Sequence, residues 1–280
     1  MKDRLILFIK GAILGVAFII PGVSGGTLAV LLGIYEDIIE AVCNFYKGKD
    51  NFIKYLKFLI PILLGAGFSL LLVARLIEFG LDKAPIITTL VFLGLIIGGI
   101  PKLFKSVDTP NLKHFSLMLI GIIIVVLMMI FDKSTANVNF SNMNLLGYII
   151  LIFVGMLASA TMVIPGISGS FTLMLIGYYE PILETVNNLS SLTNVKDNLL
   201  IMLPFLIGVV IGIVVIAKII NYMLKKYRNA TYYIIIGFVL ASVISVFVQV
   251  LSYEMNTIHL IIGLVLMCIN SFLVYKVFER

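Results

Sequence analysis

The chain has 280 residues, of which 61% are hydrophobic and 12% charged, with a mean hydropathy of +1.16 and a formal charge of +6. Soluble domains run near half apolar and about a quarter charged, so no soluble core hides this much apolar surface and the bilayer must be the solvent. The basic residues sit in short loops between apolar runs, which fits a positive-inside topology and argues against nucleic-acid binding.

The N-terminal Lys2–Arg4 followed by LILFI has the outline of a signal peptide. No small-x-small cleavage site precedes Pro21, however, and the segment belongs to a repeat that cleavage would destroy. Apolar runs occupy residues 5–42, 55–79, 85–103, 115–131, 145–186, 199–223, 231–251 and 258–277, four in each half. A spanning helix needs roughly 20 residues. The second, third and fourth runs of each half fit one crossing each. The first run of each half is far longer and is cut by Pro-Gly-x-Ser-Gly, at 21–25 and again at 165–169. Two short helices would reach part-way across and return, a re-entrant hairpin. Its irregular backbone is tolerated at membrane depth only where it is buried in protein or lines a wet cavity.

The two interruptions are copies. IPGVSGGTLAVLLGIYEDIIE at 20–40 and IPGISGSFTLMLIGYYEPILE at 164–184 share eleven of twenty-one positions without a gap. Later pairs recur at an offset of 143: Pro61 with Pro204, Gly65 with Gly208, Arg75 with Lys218, Thr88 with Thr231 and Gly94 with Gly237. The expected domains are a first membrane repeat at 1–131, a polar external linker at 132–144 and a second repeat at 145–280.

With hairpins in both first runs and a cytoplasmic N-terminus, sixteen of the twenty Lys and Arg fall inside. The four outside are Arg75, Lys83, Lys133 and Lys196. If the hairpins crossed instead, the basic loop at 47–57 would face outward and the bias would collapse. Three crossings per half are an odd number, so the second half is upside down. The expected fold is an all-α integral membrane protein with an inverted-topology repeat, each half one re-entrant helical hairpin plus three transmembrane helices. It is multi-pass, with both termini cytoplasmic.

Duplicated broken helices mark transporter sites. Pro21 and Pro165 end the helices before them. Gly22, Gly25, Gly26, Gly166 and Gly169 let the backbone turn and approach a ligand. Ser24 and Ser168 are good N-caps for the returning helices. Each return then begins near the midplane with free N–H groups and a positive dipole end, a geometry suited to phosphate. Thr27, Ser170 and Thr172 add hydroxyls. The plainer alternative is two kinked, capped helices that only pack.

Arg75 and Lys218 occupy matching positions near opposite faces. Snorkelling at helix ends explains both; capture of a phosphate head at each face is the functional alternative. Glu36, Glu40, Glu180 and Glu184 repeat as well. Hairpin anchoring competes with proton or cation coupling, for which Glu36 and Glu180 are the better placed. Gly94, Gly98 and Gly99 form a small-residue face for close helix packing or sliding. The Tyr178-Tyr179 and Tyr232-Tyr233 pairs read as interfacial aromatics.

An enzyme is not expected. There is no HExxH, GxSxG or GxxxxGK. His114 and His259 fall on opposite sides, and Ser24 and Ser168 lack a neighbouring base. Cys43 and Cys268 offer neither metal spacing nor a disulfide framework. No cofactor or metal is implied. An ion-coupled carrier of a small anionic solute is the alternative reading.

IPGVSGGT with GIYE, echoed by IPGISGSF with GYYE, resembles the bacterial polyprenyl-phosphate transporter family, long catalogued as a domain of unknown function. The resemblance covers nearly the whole chain. It implies a flippase returning undecaprenyl phosphate, the carrier lipid of cell-wall synthesis, from the outer to the inner leaflet of the bacterial plasma membrane. The helix ends read above are then where its phosphate head is expected, at Ser24, Gly25, Gly26, Thr27, Ser168, Gly169 and Ser170, with Arg75 and Lys218 at the faces. The second copy departs from Ser-Gly-Gly-Thr by carrying Ser170 and Phe171, which makes that hairpin more of a packing element. The partners implied are the polyprenyl-phosphate lipid and membrane lipids, with no nucleic acid. A homo-oligomer and proton or sodium coupling are left open.

Overall fold

A computed structural model describes residues 2–17, 24–130, 138, 140 and 143–279. Pro21, Gly22 and most of the 132–144 linker lie outside the described residues. The rest is helical, with no strand among the described residues. The first half holds α1 (Lys2–Ala17), α2 (Gly25–Leu31), α3 (Tyr35–Asn44), α4 (Lys49–Phe68), α5 (Ala74–Lys83), α6 (Pro85–Lys105) and α7 (Leu112–Ile130). A π-helical segment, Ser69–Val73, joins α4 to α5. The second half holds α8 (Leu145–Val163), α9 (Gly169–Leu175), α10 (Tyr179–Ser190), α11 (Val195–Lys226), α12 (Arg228–Ser252) and α13 (Thr257–Glu279).

Seven helical stretches among the described residues are long and apolar enough to cross a membrane: 49–83, 85–105, 112–130, 145–163, 195–226, 228–252 and 257–277. Six were expected. The seventh is α8, which the sequence reading assigns to a hairpin; on length and composition alone it qualifies, whereas α1, at 16 residues, does not.

Lipid is as apolar as leucine, so helix association here depends on close backbone approach rather than on expelling water. The glycines supply it. A Cβ on Gly11 would lie 2.1 Å from the Ile62 carbonyl oxygen, and one on Gly65 would lie 2.0 Å from that of Phe8. The pairing of α8 with α11 repeats this, through Gly155 on Phe205 and Gly208 on Ile152. Gly11 meets Ile62 and Gly15 meets Ala66, and likewise Gly208 meets Ile152 and Gly212 meets Met156, so the contacts advance together along both helices and each pair runs parallel. Gly94 and Gly98 set α6 against Met267 and Ser271 of α13, and Gly121 and Gly237 join α7 to α12. These are close-packing seams, one of the two roles expected for the 94–99 face.

The short helices α2 and α9 stop in the same way. In both, Gly33 (φ +67°) and Gly177 (φ +76°) take the left-handed conformation. The Ile34 N–H donates to the Ala29 carbonyl and the Tyr178 N–H to that of Leu173, at 3.0 and 2.9 Å. This glycine-terminated cap explains why the repeat keeps Gly before its Tyr-Glu. Beyond the cap the two halves diverge. α3 packs on α11 across the halves, while the substantial partners of α10 are α9 and α11 of its own half.

Candidate functional site

The α8 chain leaves its helix at Ile164, turns through Pro165 and Gly166 (φ +82°), and enters α9 after Ser168. At Gly166 a Cβ would sit 2.4 Å from the Phe238 carbonyl oxygen of α12. Both the turn and the approach therefore require glycine. Gly26 of α2 lies against this same turn: a Cβ there would be 3.1 Å from Pro165 Cα and 3.2 Å from the Val163 oxygen. The Tyr35 hydroxyl donates to that Val163 carbonyl at 3.2 Å. The two repeated motifs, 144 residues apart in sequence, thus touch in space.

Their hydroxyls behave differently from expectation. Ser24 and Ser168 do hold N-cap positions with extended backbone, but neither side chain caps its helix. The Ser168 hydroxyl is paired instead with that of Ser170 at 2.8 Å. The Thr172 hydroxyl donates to the Ser168 carbonyl at 3.2 Å, so its proton is used inside α9. In the first copy, Ser24 Oγ and Thr27 Oγ1 are buried and find no hydrogen-bond partner among the described residues. Thr89 Oγ1, on the α6 helix that α2 packs against, is in the same condition. Buried polar groups are nearly always bonded, so these orphans mark where a polar ligand would be welcome. Gly25 and Gly169 open α2 and α9, and the first-turn amides of a helix lack an intrahelical acceptor.

The charged candidates are placed elsewhere. Arg75 is exposed on α5. Lys218 is exposed on α11 with its ammonium 5.5 Å over the Tyr46 ring, at the junction of α3 and α4 rather than at the turns. Glu36 receives two bonds from the Arg228 guanidinium, at 2.9 and 2.7 Å, and a third from the Tyr232 hydroxyl. Glu40 receives the Tyr55 hydroxyl at 2.9 Å. Glu180 is exposed. The four glutamates repeat in sequence, but their surroundings do not. Burial, then the carboxylates of Glu40 and Glu36, push the Asp37 pKa up against the opposing pull of Lys10 and Lys54. Burial also raises the Cys43 thiol, which Lys218, Lys47 and Lys225 pull the other way.

Sequence reasoning does not pair Arg228 or Tyr232 with Glu36. The first was weighed only for loop charge. The second was assigned with Tyr233 to the interface, whereas Tyr233 is buried, stacks on His114 at 4.7 Å and donates to the Asp108 carbonyl at 2.7 Å. The described residues contain no His, Cys, Asp or Glu group able to hold a metal ion.

Seven helical stretches among the described residues that are long and apolar enough to cross a membrane, with the two repeated motifs in contact at Gly26 and Pro165, define a polytopic all-α membrane protein of the transporter class. The chain belongs to the undecaprenyl phosphate translocase-like (VCA0040-like) family, which it matches over residues 14–261, and which is a family of transporters rather than enzymes. It is 29% identical over 267 residues to the polyprenyl-phosphate transporter of Vibrio cholerae serotype O1, covering 89% of this chain and 80% of that one. It is 32% identical over 265 residues to the polyprenyl-phosphate transporter of Staphylococcus aureus, covering 92% of each. No solved structure matches the chain.

Proposed function

We propose that this protein carries a polyprenyl phosphate across the bacterial plasma membrane, with undecaprenyl phosphate returned from the outer to the inner leaflet for reuse in cell-wall synthesis. The phosphate head passes between the two broken-helix turns while the long apolar tail stays in the bilayer. The observation that carries this reading is the meeting of Gly26 with Pro165 beside two buried, unpartnered hydroxyls, Ser24 and Thr27. Hydroxyls and first-turn amides are donors, and a phosphate supplies acceptors. Ser168, Gly169 and Ser170 complete the cradle from the other side.

An inverted repeat with two re-entrant hairpins is the framework of this proposal. It is supported by which residues share an end of the molecule. Arg4 and Lys57 line one groove, Lys218 lies over Tyr46, Arg228 bonds Glu36, and Asn229 bonds Asp108. The start of α1 is therefore beside the start of α4, so α1 to α3 leave this basic end and come back to it. The parallel run of α8 with α11 favours the same excursion from the opposite end. The basic end is then cytoplasmic by the positive-inside rule. Arg75 and Lys218 act at the two faces, and Glu36 and Glu180 are the candidates for coupling to an ion.

The test is purified protein in liposomes with labelled polyprenyl phosphate confined to one leaflet. Equilibration of the label between leaflets is expected with protein and not without it. Uptake of a water-soluble anion with no lipid movement would replace this reading by a small-solute carrier.

A further inference from the structure

The cleft that Glu36 closes lies at the basic end, and none of its lining residues belongs to either turn. It has a volume of about 270 Å³ and is lined by Glu36, Glu40, Asn221, Leu224, Lys225 and Arg228. Arg228 stands in it as a fork already holding two oxygens. The carboxylate of Glu36 accepts from both terminal nitrogens, and this bidentate geometry is the one that a guanidinium offers a phosphate. The pair is not locked in by burial. The Arg228 and Glu36 side chains are 53% and 36% exposed, and an ion pair in that setting holds weakly and exchanges readily. Lys225 adds a second cation to the lining and Asn221 an amide.

The same positions in the other half have the opposite character. At the offset of 143, Asn221, Lys225 and Arg228 correspond to Glu78, Asp82 and Pro85, and Tyr232 corresponds to Thr89. Glu36 and Glu40 correspond to Glu180 and Glu184. An anion approaching those positions at the far end meets carboxylates. The other half does not repeat this cleft: the side chains at the corresponding positions are two carboxylates, a proline and a threonine, and α10 has its substantial contacts with α9 and α11 of its own half rather than with α5.

Resting on the reading above, we infer that this cleft is a second phosphate-head site, at the basic end, which Glu36 occupies in the closed molecule and which a phosphomonoester head takes over by displacing Glu36 from Arg228. Displacement has a mechanical result. Glu36 is in the first turn of α3, and its bonds to Arg228 and Tyr232 tie α3 to α12. Release of the carboxylate leaves α3 held by its packing on α4 and α11, by the Tyr55–Glu40 bond and by the Tyr35 hydroxyl on the Val163 carbonyl. Arrival of the head therefore opens the basic end of the hairpin, and departure of the head lets Glu36 shut it. The exchange is a ligand swap on Arg228, with no bond made or broken covalently.

Because the chain has no tryptophan, Tyr222→Trp gives a single tryptophan, excited selectively over the tyrosines, one residue from Asn221. In detergent-solubilised full-length protein carrying this reporter, a short-chain polyprenyl phosphate and inorganic phosphate are titrated separately. The neutral polyprenol is the control. Glu36→Gln, which removes the competing charge but keeps the shape, is expected to tighten phosphate binding about 10-fold. Arg228→Gln is expected to abolish the signal at this reporter, and Arg228→Lys to weaken it by losing the fork. Equal response to lipid phosphate and inorganic phosphate assigns recognition to the head alone; response to the lipid only adds the tail, and either result supports the site. Binding unchanged in both Glu36→Gln and Arg228→Gln would overturn it. If leaflet exchange by the wild type persists alongside that result, only this inference falls. If the wild type moves no lipid at all, the transport reading falls as well, whatever the titration gives.

Discussion

Replacing Thr27 by valine exchanges a hydroxyl for a methyl of similar size at a side chain that is 0% exposed and whose Oγ1 has no partner among the described residues. An unsatisfied buried polar group costs about 1–3 kcal/mol. Removing it should therefore leave the stability of the empty protein unchanged or raise it by up to that amount. The effect on transport should have the opposite sign. If the lipid phosphate accepts from this hydroxyl, the bond is one to a charged group, worth about 1.5–3 kcal/mol. Its loss corresponds to roughly a 10- to 150-fold weaker interaction with the lipid. Thermal unfolding in detergent and leaflet exchange at graded lipid concentration measure the two effects on the same preparation. A variant whose Tm falls while its lipid dependence is unchanged would refute the reasoning, because it would mean that the hydroxyl serves the fold and never meets the head.

Gly166→Ala combines a positive φ with a backbone oxygen 2.4 Å from the new carbon, so it should destabilise by more than the ~1 kcal/mol that Gly→Ala gains where the backbone accepts it, and lower Tm; an unchanged Tm would contradict the turn geometry. Gly208→Ala forces α11 away from the Ile152 oxygen, 2.0 Å from the new carbon, and should destabilise, whereas Gly67→Ala meets nothing within 4 Å and should hold or raise Tm; the same thermal scans compare them. Burial raises the pKa of the Cys43 thiol, so its thiolate fraction at neutral pH is below that of a free cysteine and its alkylation should accelerate as pH rises into the alkaline range. Mass spectrometry of iodoacetamide-treated protein tracks this, and Arg228→Gln, by loosening α3, should speed the reaction at every pH. In a cysteine-free background, single cysteines at Lys47 and at Lys196 should be labelled from opposite sides of sealed vesicles; labelling of both from one side would remove the hairpins from the topology.

The helical class and the place of the break after α8 were legible because they are written in local residue types: apolar runs of spanning length, and Pro and Gly where a helix cannot continue. The shared Gly33 and Gly177 stops were visible for the same reason. Partner choice over long separations was not legible. Glu36 and Glu180 look equivalent in the repeat, yet one meets an arginine 192 residues away and the other is exposed. Nothing local in Arg228 distinguishes a latch from a topogenic charge. Ser24 and Ser168 do take the N-cap positions, but the cap bond itself is only a propensity: the Ser168 hydroxyl pairs locally with Ser170, and that of Ser24 finds no partner among the described residues. The seams at Gly65 and Gly208 were visible as repeated glycines, but not which backbone each one admits.

A polyprenyl phosphate carrying a photoreactive group beside its phosphate tests the central claim most directly. After irradiation of the protein in liposomes, adducts mapped by mass spectrometry should fall on residues 24–27 and 165–170, and Thr27→Val should reduce them. Adducts confined to the lipid-facing surfaces of α1, α4 or α13, with both turns unlabelled, would mean that the head does not travel between the broken helices.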